Sequence, residues 1–127
     1  MSASSAHPHI IVRTSPVHGR GLFAFREISP GHLIGFFPLL ILSAEETARI
    51  KQTRLYHYVF YVDEDASGAI RTAVAFGEIS MCNHSATPNA FFEVNADTME
   101  VGLFADQRIA EGEEILIDYE DFAEEAL

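Results

Sequence analysis

Asn83-His84-Ser85-Ala86-Thr87-Pro88-Asn89 is the stretch on which the reading of this chain turns. Its side chains are mostly polar, yet it sits between apolar runs rather than in an open polar loop. Buried polar groups need hydrogen-bond partners, so a segment of this kind must satisfy many groups at once. Pro88 fixes its own backbone and biases Thr87 toward an extended conformation. The expectation is a stiff turn that presents backbone and side-chain hydrogen-bonding groups at fixed positions. Taken alone, the segment is equally readable as an unusually polar structural turn.

Outward from it, short apolar or alternating runs recur at Ile10–Val12, Leu22–Phe25, Leu33–Leu42, Tyr58–Val62, Ala90–Val94, Met99–Phe104 and Ile115–Ile117. Such runs read as strands, and turn signals separate them. Asp63–Gly68 reads as a loop joining two strands, and Asn95–Thr98 as a hairpin turn. Ser29-Pro30-Gly31 and Ala110-Glu111-Gly112 are turns that each precede a strand. Ser43-Ala44-Glu45-Glu46 fits a capping box, which predicts a helix through Ala48 and Ile50 and as far as Leu55. A second short helix, acidic and without a C-terminal cap, is predicted over Glu120–Ala126. The pattern is a β-rich α+β domain with one or two short helices, and 127 residues make one domain, residues 1–127.

Hydrophobic residues make up 48% of the chain, a globular rather than disordered composition. No apolar run approaches the ~18 residues of a membrane span. Met1–His9 has no apolar core, so no secretory signal is expected and an intracellular location, cytoplasmic or nuclear, follows. The single cysteine, Cys82, excludes an internal disulfide and fits a reducing compartment. Net charge is −11, with eight basic residues, and Lys51 is the only lysine. Phosphate binding needs clustered Lys and Arg, so nucleic acid is not expected as a direct partner. A basic partner is favoured by long-range attraction. Thr98–Leu127 carries ten carboxylates and one basic residue, Arg108, which reads equally well as a solvated acidic surface.

Two further segments give the central stretch its meaning. Gly19-Arg20-Gly21-Leu22-Phe23-Ala24 lies upstream, and Gly112-Glu113-Glu114-Ile115-Leu116-Ile117-Asp118-Tyr119 lies downstream. In this order the three segments resemble the glycine, NHSxxPN and GEEΦxxDY motifs of the SET-domain protein methyltransferases, over roughly residues 10 to 120. The resemblance implies a SET fold of several small curved sheets with a threaded C-terminal segment. It also implies methyl transfer from S-adenosylmethionine to a lysine side chain in a basic protein, histone or histone-like.

By resemblance, Gly19, Arg20, Gly21 and Leu22 contact the amino-acid part of the cofactor, largely through backbone. The Asn83 side chain would bind the same end, and the His84 backbone would read the adenine edge. Tyr119 occupies the catalytic tyrosine position, where its hydroxyl orients the lysine nitrogen and it also borders the cofactor. Asp118 is expected to be a structural acceptor, and Asn89 to hold the threaded loop together. The lysine channel is assigned to Phe37, Tyr61, Phe92 and Ile117. Phe36-Phe37 stands where many relatives carry Glu-Tyr, and neither Phe92 nor Ile117 has a hydroxyl. A roomier, more apolar channel follows, suited to adding two or three methyl groups. Tyr58 or Tyr61 could replace a missing hydroxyl, although strand residues packing a sheet are the plainer reading.

His7, His9 and His18 lack nearby cysteines or carboxylates at ligand spacing, so no metal site is expected. Cys82 has no nucleophile–base arrangement around it and reads as a buried, inert thiol. The cysteine-rich zinc segments that flank many SET domains have no counterpart in these residues, a layout similar to short viral SET proteins. The channel would then be closed by Phe122 and the acidic tail, or by a second subunit in a homodimer. Two other functions stay open at this point. One is a SET-fold module that has lost catalysis and binds basic peptides, favoured by Phe36-Phe37. The other is an acidic chaperone, which rests on charge alone.

Overall fold

The computed structural model describes residues 7–16 and 19–119. Ten regular elements follow in order: β1 (Ile10–Thr14), β2 (Arg20–Ala24), β3 (Leu33–Ile41), α1 (Ala44–Ile50), β4 (Val59–Glu64), β5 (Ile70–Ala75), β6 (Asn83–His84), β7 (Ala90–Asn95), β8 (Glu100–Ala105) and β9 (Glu114–Ile117). The strands form two sheets, one ordered β1-β2-β9-β6 and the other β4-β5-β3-β8-β7.

β3 shows how the apolar pattern becomes architecture. Successive strand residues point to opposite faces, so Phe37 and Leu39 are buried while Phe36 and Leu40 face outward, and the register shift between Leu33 and Gly35 breaks the alternation so that Ile34 is buried too. β3 pairs antiparallel with β8 on one side and β5 on the other. Leu22, Phe60, Leu103, Ile109, Ile115 and Ile117 complete one continuous core.

The turn chemistry is as read. The Asp65 carboxylate accepts from the Ser67 and Ala69 amides and so closes the β4–β5 hairpin. Asn95 Oδ1 does the same for Asp97 and Thr98 between β7 and β8. Gly31 and Gly112 adopt φ of 78° and 85°, a left-handed geometry that favours glycine.

The capping box forms in both directions, Glu46 N–H to Ser43 Oγ and Ser43 N–H to Glu46 Oε1. The helix stops at Ile50, short of the predicted Leu55. There the Thr53 amide and hydroxyl both donate to the Ile50 carbonyl and turn the chain into a single 3-10 turn, Arg54–Tyr58. Tyr58 therefore belongs to that turn and not to the predicted strand. α1 is fastened to β5 by Thr47 Oγ1, which meets Thr72 Oγ1 at 3.0 Å and accepts the Thr72 amide. Two strands were not named in the sequence pattern: β5, the partner implied beyond the Asp63–Gly68 loop, and the two-residue β6. The helix predicted over Glu120–Ala126 lies outside the described residues, as does Phe122. Among the described residues, no helix is long and apolar enough to cross a membrane.

Candidate active site

β9 is inserted between β2 and β6, antiparallel to the first and parallel to the second. That insertion joins the three sequence motifs in one place. Asn89 holds it. The Asn89 amide donates to Leu116 O, the Leu116 amide donates to Asn89 Oδ1 at 2.9 Å, and Asn89 Nδ2 donates to Glu114 O at 2.9 Å. One buried side chain thus extends the β9 hydrogen-bond ladder where strand pairing has ended. Ser85 stiffens the approach, since Ser85 Oγ accepts the Thr87 amide. The polar stretch is therefore both a structural clamp, through Asn89, and the carrier of a site, through Asn83.

Gly19, Arg20 and Asn83 line one concavity of about 280 Å³, together with Tyr58, Ser80 and Met81. Gly19 has φ of 59°, which turns the chain into β2. Gly21 leaves room for the group behind Asn83: a Cβ there would overlap the Glu114 carboxylate and crowd Asn83 Nδ2. Asn83 is buried and donates through Nδ2 to Arg20 O at 2.9 Å and to Glu114 Oε2 at 2.8 Å. Glu114 also accepts from the buried Ser15 hydroxyl, at 2.9 and 3.0 Å. Leu22 is fully buried and does not line this concavity.

His84 is exposed beside this cluster. Its Nδ1 receives the Tyr119 amide at 3.2 Å and lies 3.5 Å from Asp118 Oδ1. The two contacts ask for opposite tautomers. A backbone N–H can only donate, which makes Nδ1 an acceptor and puts the ring proton on Nε2.

Tyr119 is buried, with its hydroxyl 3.4 Å from the Ile79 carbonyl, one residue from Ser80 of the polar concavity. Its ring packs 5.1 Å from Phe60, which meets Phe92 edge-on at 4.7 Å. Phe92 belongs to a second concavity of about 400 Å³, lined by Tyr61, Val62, Pro88, Ala90, Phe91, Phe92, Val94 and Asp118. Tyr119 thus touches the framework of both. Burial pushes its phenol well above the usual tyrosine range, with smaller contributions from Cys82 and Tyr58. The group is a neutral phenol across physiological pH.

Of the four residues assigned to a channel, the structure brings Tyr61 and Phe92 to this second concavity. It places Phe37 and Ile117 in the core, at 1% and 0% exposure. Phe37 stacks on His7 with ring centroids 4.4 Å apart and lies against Gly77. The inward phase of β3 directs it there, while Phe36 takes the outward phase. Tyr58 lines the polar concavity, which sequence reasoning did not foresee, because a 3-10 turn leaves no apolar period to read.

Glu114 and Ser15 were also missed. Cys82 is buried, its Sγ 3.2 Å from the Ile115 carbonyl, and burial raises its pKa far above the thiol range, so it behaves as the inert thiol that its sequence context indicated. His7 pairs with Glu78 at 3.2 Å, and its Nε2 donates to Phe36 O. His9 sits edge-on to His32 at 5.2 Å. His18 lies outside the described residues.

Comparison with known proteins adds a family to this geometry. The sequence pattern of the SET domain matches residues 19–120. The chain is 30% identical to the Arabidopsis thaliana histone-lysine N-methyltransferase MEDEA over 87% of its own length and 16% of that protein's. It is 30% identical to the H3 lysine-37 specific histone-lysine N-methyltransferase of Schizosaccharomyces pombe, over 87% of this chain and 72% of that one. The Neurospora SET domain protein DIM-5, a histone lysine methyltransferase, shares the fold. Its TM-score is 0.67 at 20% identity, covering 87% of this chain and 51% of the other.

Proposed function

This chain belongs to the SET-domain family, and on that premise we propose that it is a protein-lysine N-methyltransferase that uses S-adenosylmethionine and acts on a basic segment of another protein. The observation that carries the reading is the convergence at β9. Gly19, Arg20 and Asn83 share one concavity, and the buried Tyr119 is linked to it through the Ile79 carbonyl beside Ser80 and to a second, more apolar one through Phe60, which packs on Phe92. A methyl donor and an amine must meet in line from opposite sides, which calls for two openings with a shared wall.

The residues of the polar side fit the amino-acid end of the cofactor. Asn83 offers a side-chain oxygen, Arg20 a cation, and glycine at 19 and 21 allows close backbone approach. When bound, S-adenosylmethionine supplies an electrophilic methyl group on a sulfonium. The phenol of Tyr119 donates a hydrogen bond to the Ile79 carbonyl, which leaves the oxygen lone pairs to receive an N–H of the incoming lysine. Tyr119 is then an orienting group and not a phenolate base. The lysine loses its proton to water; the apolar wall around Phe92 and Val94 favours the neutral amine, against the opposing pull of the Asp118 carboxylate on the same concavity.

The substrate class follows from charge. A chain of net charge −11 attracts Lys- and Arg-rich segments, and the named relatives are histone-lysine methyltransferases. A histone or histone-like substrate would place the chain at chromatin. Incubation with methyl-labelled cofactor, a panel of basic proteins and a cell lysate tests the reading, with the labelled protein identified by mass spectrometry. Label on lysine is expected. A chain that binds cofactor and basic peptide yet transfers no label would instead be the catalytically inert module.

A further inference from the structure

Asn83 Nδ2 carries two hydrogens, and both are committed, one to Arg20 O and one to Glu114 Oε2. A backbone carbonyl and a carboxylate can only accept. The Asn83 amide therefore cannot be turned over, because its oxygen would then face two acceptors. What Asn83 has left to offer a ligand is Oδ1, an acceptor. Glu114 is itself fixed. It lies on β9, in register with Phe23 of β2, and the Ser15 hydroxyl spans both its oxygens. The missing side chain at Gly21 provides the space it occupies.

We propose that Glu114, held by Ser15, is a positioning residue that locks Asn83 with its oxygen outward and makes the pocket selective for the ammonium of the cofactor's amino-acid end. The inference rests on the cofactor reading given above and adds the group that enforces it. The carboxylate acts twice. It fixes the amide orientation, and its negative charge behind the amide favours a cation over a neutral group at Oδ1 in a partly desolvated setting. Nothing in the GEE letters separates Glu113 from Glu114. The structure does: Glu113 turns to the Ala110 amide in the preceding turn.

The test measures dissociation constants by calorimetry for two probes, S-adenosylhomocysteine and its deamino analogue, in which hydrogen replaces the ammonium. The unmodified chain should prefer the first by at least about tenfold. Glu114→Ala should weaken the first by roughly 10- to 100-fold and Glu114→Gln by less, since glutamine can still accept from Asn83. The deamino analogue should change by less than about twofold in both. In turnover assays, KM for the methyl donor should rise more than kcat falls. Ser15→Ala leaves the carboxylate in place and loosens it, so a smaller loss confined to the ammonium-bearing probe is expected. That variant serves if Glu114→Ala does not fold. Equal losses for both probes would reduce Glu114 to a structural role and overturn the proposal, as would no loss for either. Failure of the unmodified chain to bind either probe would overturn the cofactor-site reading, and the positioning role with it.

Discussion

At the first concavity, Asn83 is tied to Arg20 O and Glu114 by bonds of 2.9 and 2.8 Å, and Glu114 is tied in turn to Ser15. At the second, Tyr61, Phe92 and Val94 form a wall of aromatic and aliphatic surface braced by Phe60. The first region is preorganised by directional bonds, each needing a particular residue type at a particular place. The second is shaped by packing, which accepts many residues of similar volume. Substitutions in the polar region should therefore weaken binding or turnover. Substitutions in the apolar wall should change which product is made.

Gly21→Ala breaks the polar side most severely. The new Cβ would collide with the Glu114 carboxylate, which must swing away and give up its bonds to Asn83 and Ser15. We expect about 1–3 kcal/mol loss of unfolding free energy and a fall in kcat/KM on the order of 100-fold from the displaced Asn83. Denaturant unfolding and steady-state kinetics check both. A variant with unchanged kcat/KM would show that the Glu114–Asn83 pairing does not matter to the site.

Asn83→Ala comes next. It removes the outward oxygen and strands Glu114, and should weaken S-adenosylmethionine by about 1–3 kcal/mol, or roughly 5- to 150-fold. Calorimetry on the folded variant reads it, and unchanged affinity would make Asn83 a structural turn residue only. Tyr119→Phe tests the boundary between the two regions. It should lower turnover by at least about tenfold and leave cofactor affinity nearly unchanged, because the hydroxyl acts on the amine. Its raised pKa adds a sign: the phenol stays protonated well above pH 10, so ionisation of Tyr119 should not shape the rate between pH 7 and 10. Near-normal turnover in the variant would remove the hydroxyl from the mechanism.

The contrast also explains what could be read in the letters. Asn83 and Asn89 stood out because polar side chains among apolar runs must find partners, and both did, on β9. The strand pattern and the Ser43 capping box were legible because each rests on local spacing. Glu114 was not, since only the register of β9 against β2 distinguishes it from Glu113. β6 was not either: two residues carry no period, and their pairing with β9 is parallel and non-local. The burial of Phe37 was not legible for a third reason. The run from Leu33 to Leu42 is apolar on both faces, so alternation could not say which phenylalanine turns inward. Polar sites announce themselves in sequence, whereas apolar walls are known only once the fold says which face is which.

Phe92→Tyr is the mildest change and the most informative about the apolar wall. Phe92 is half-buried, edge-on to Phe60, and lines the same concavity as Tyr61. A hydroxyl on that wall would anchor a water or the lysine nitrogen and hinder rotation of a partly methylated amine. Without it, a dimethylated nitrogen can turn its remaining lone pair toward the methyl donor. The unmodified chain should therefore add two or three methyl groups, and Phe92→Tyr should shift the product toward monomethyl-lysine at a similar initial rate. The burial of Phe37 and Ile117 sharpens the argument, because it leaves Phe92 and Tyr61 as the assigned channel residues that face the opening. Tyr61 also lies on this concavity but as a strand residue packing the sheet, so Tyr61→Phe should leave the product at two or three methyl groups. Mass spectrometry of saturated reactions distinguishes the cases. Monomethyl-lysine alone from the unmodified chain, even after long incubation, would mean that the wall around Phe92 does not set the count.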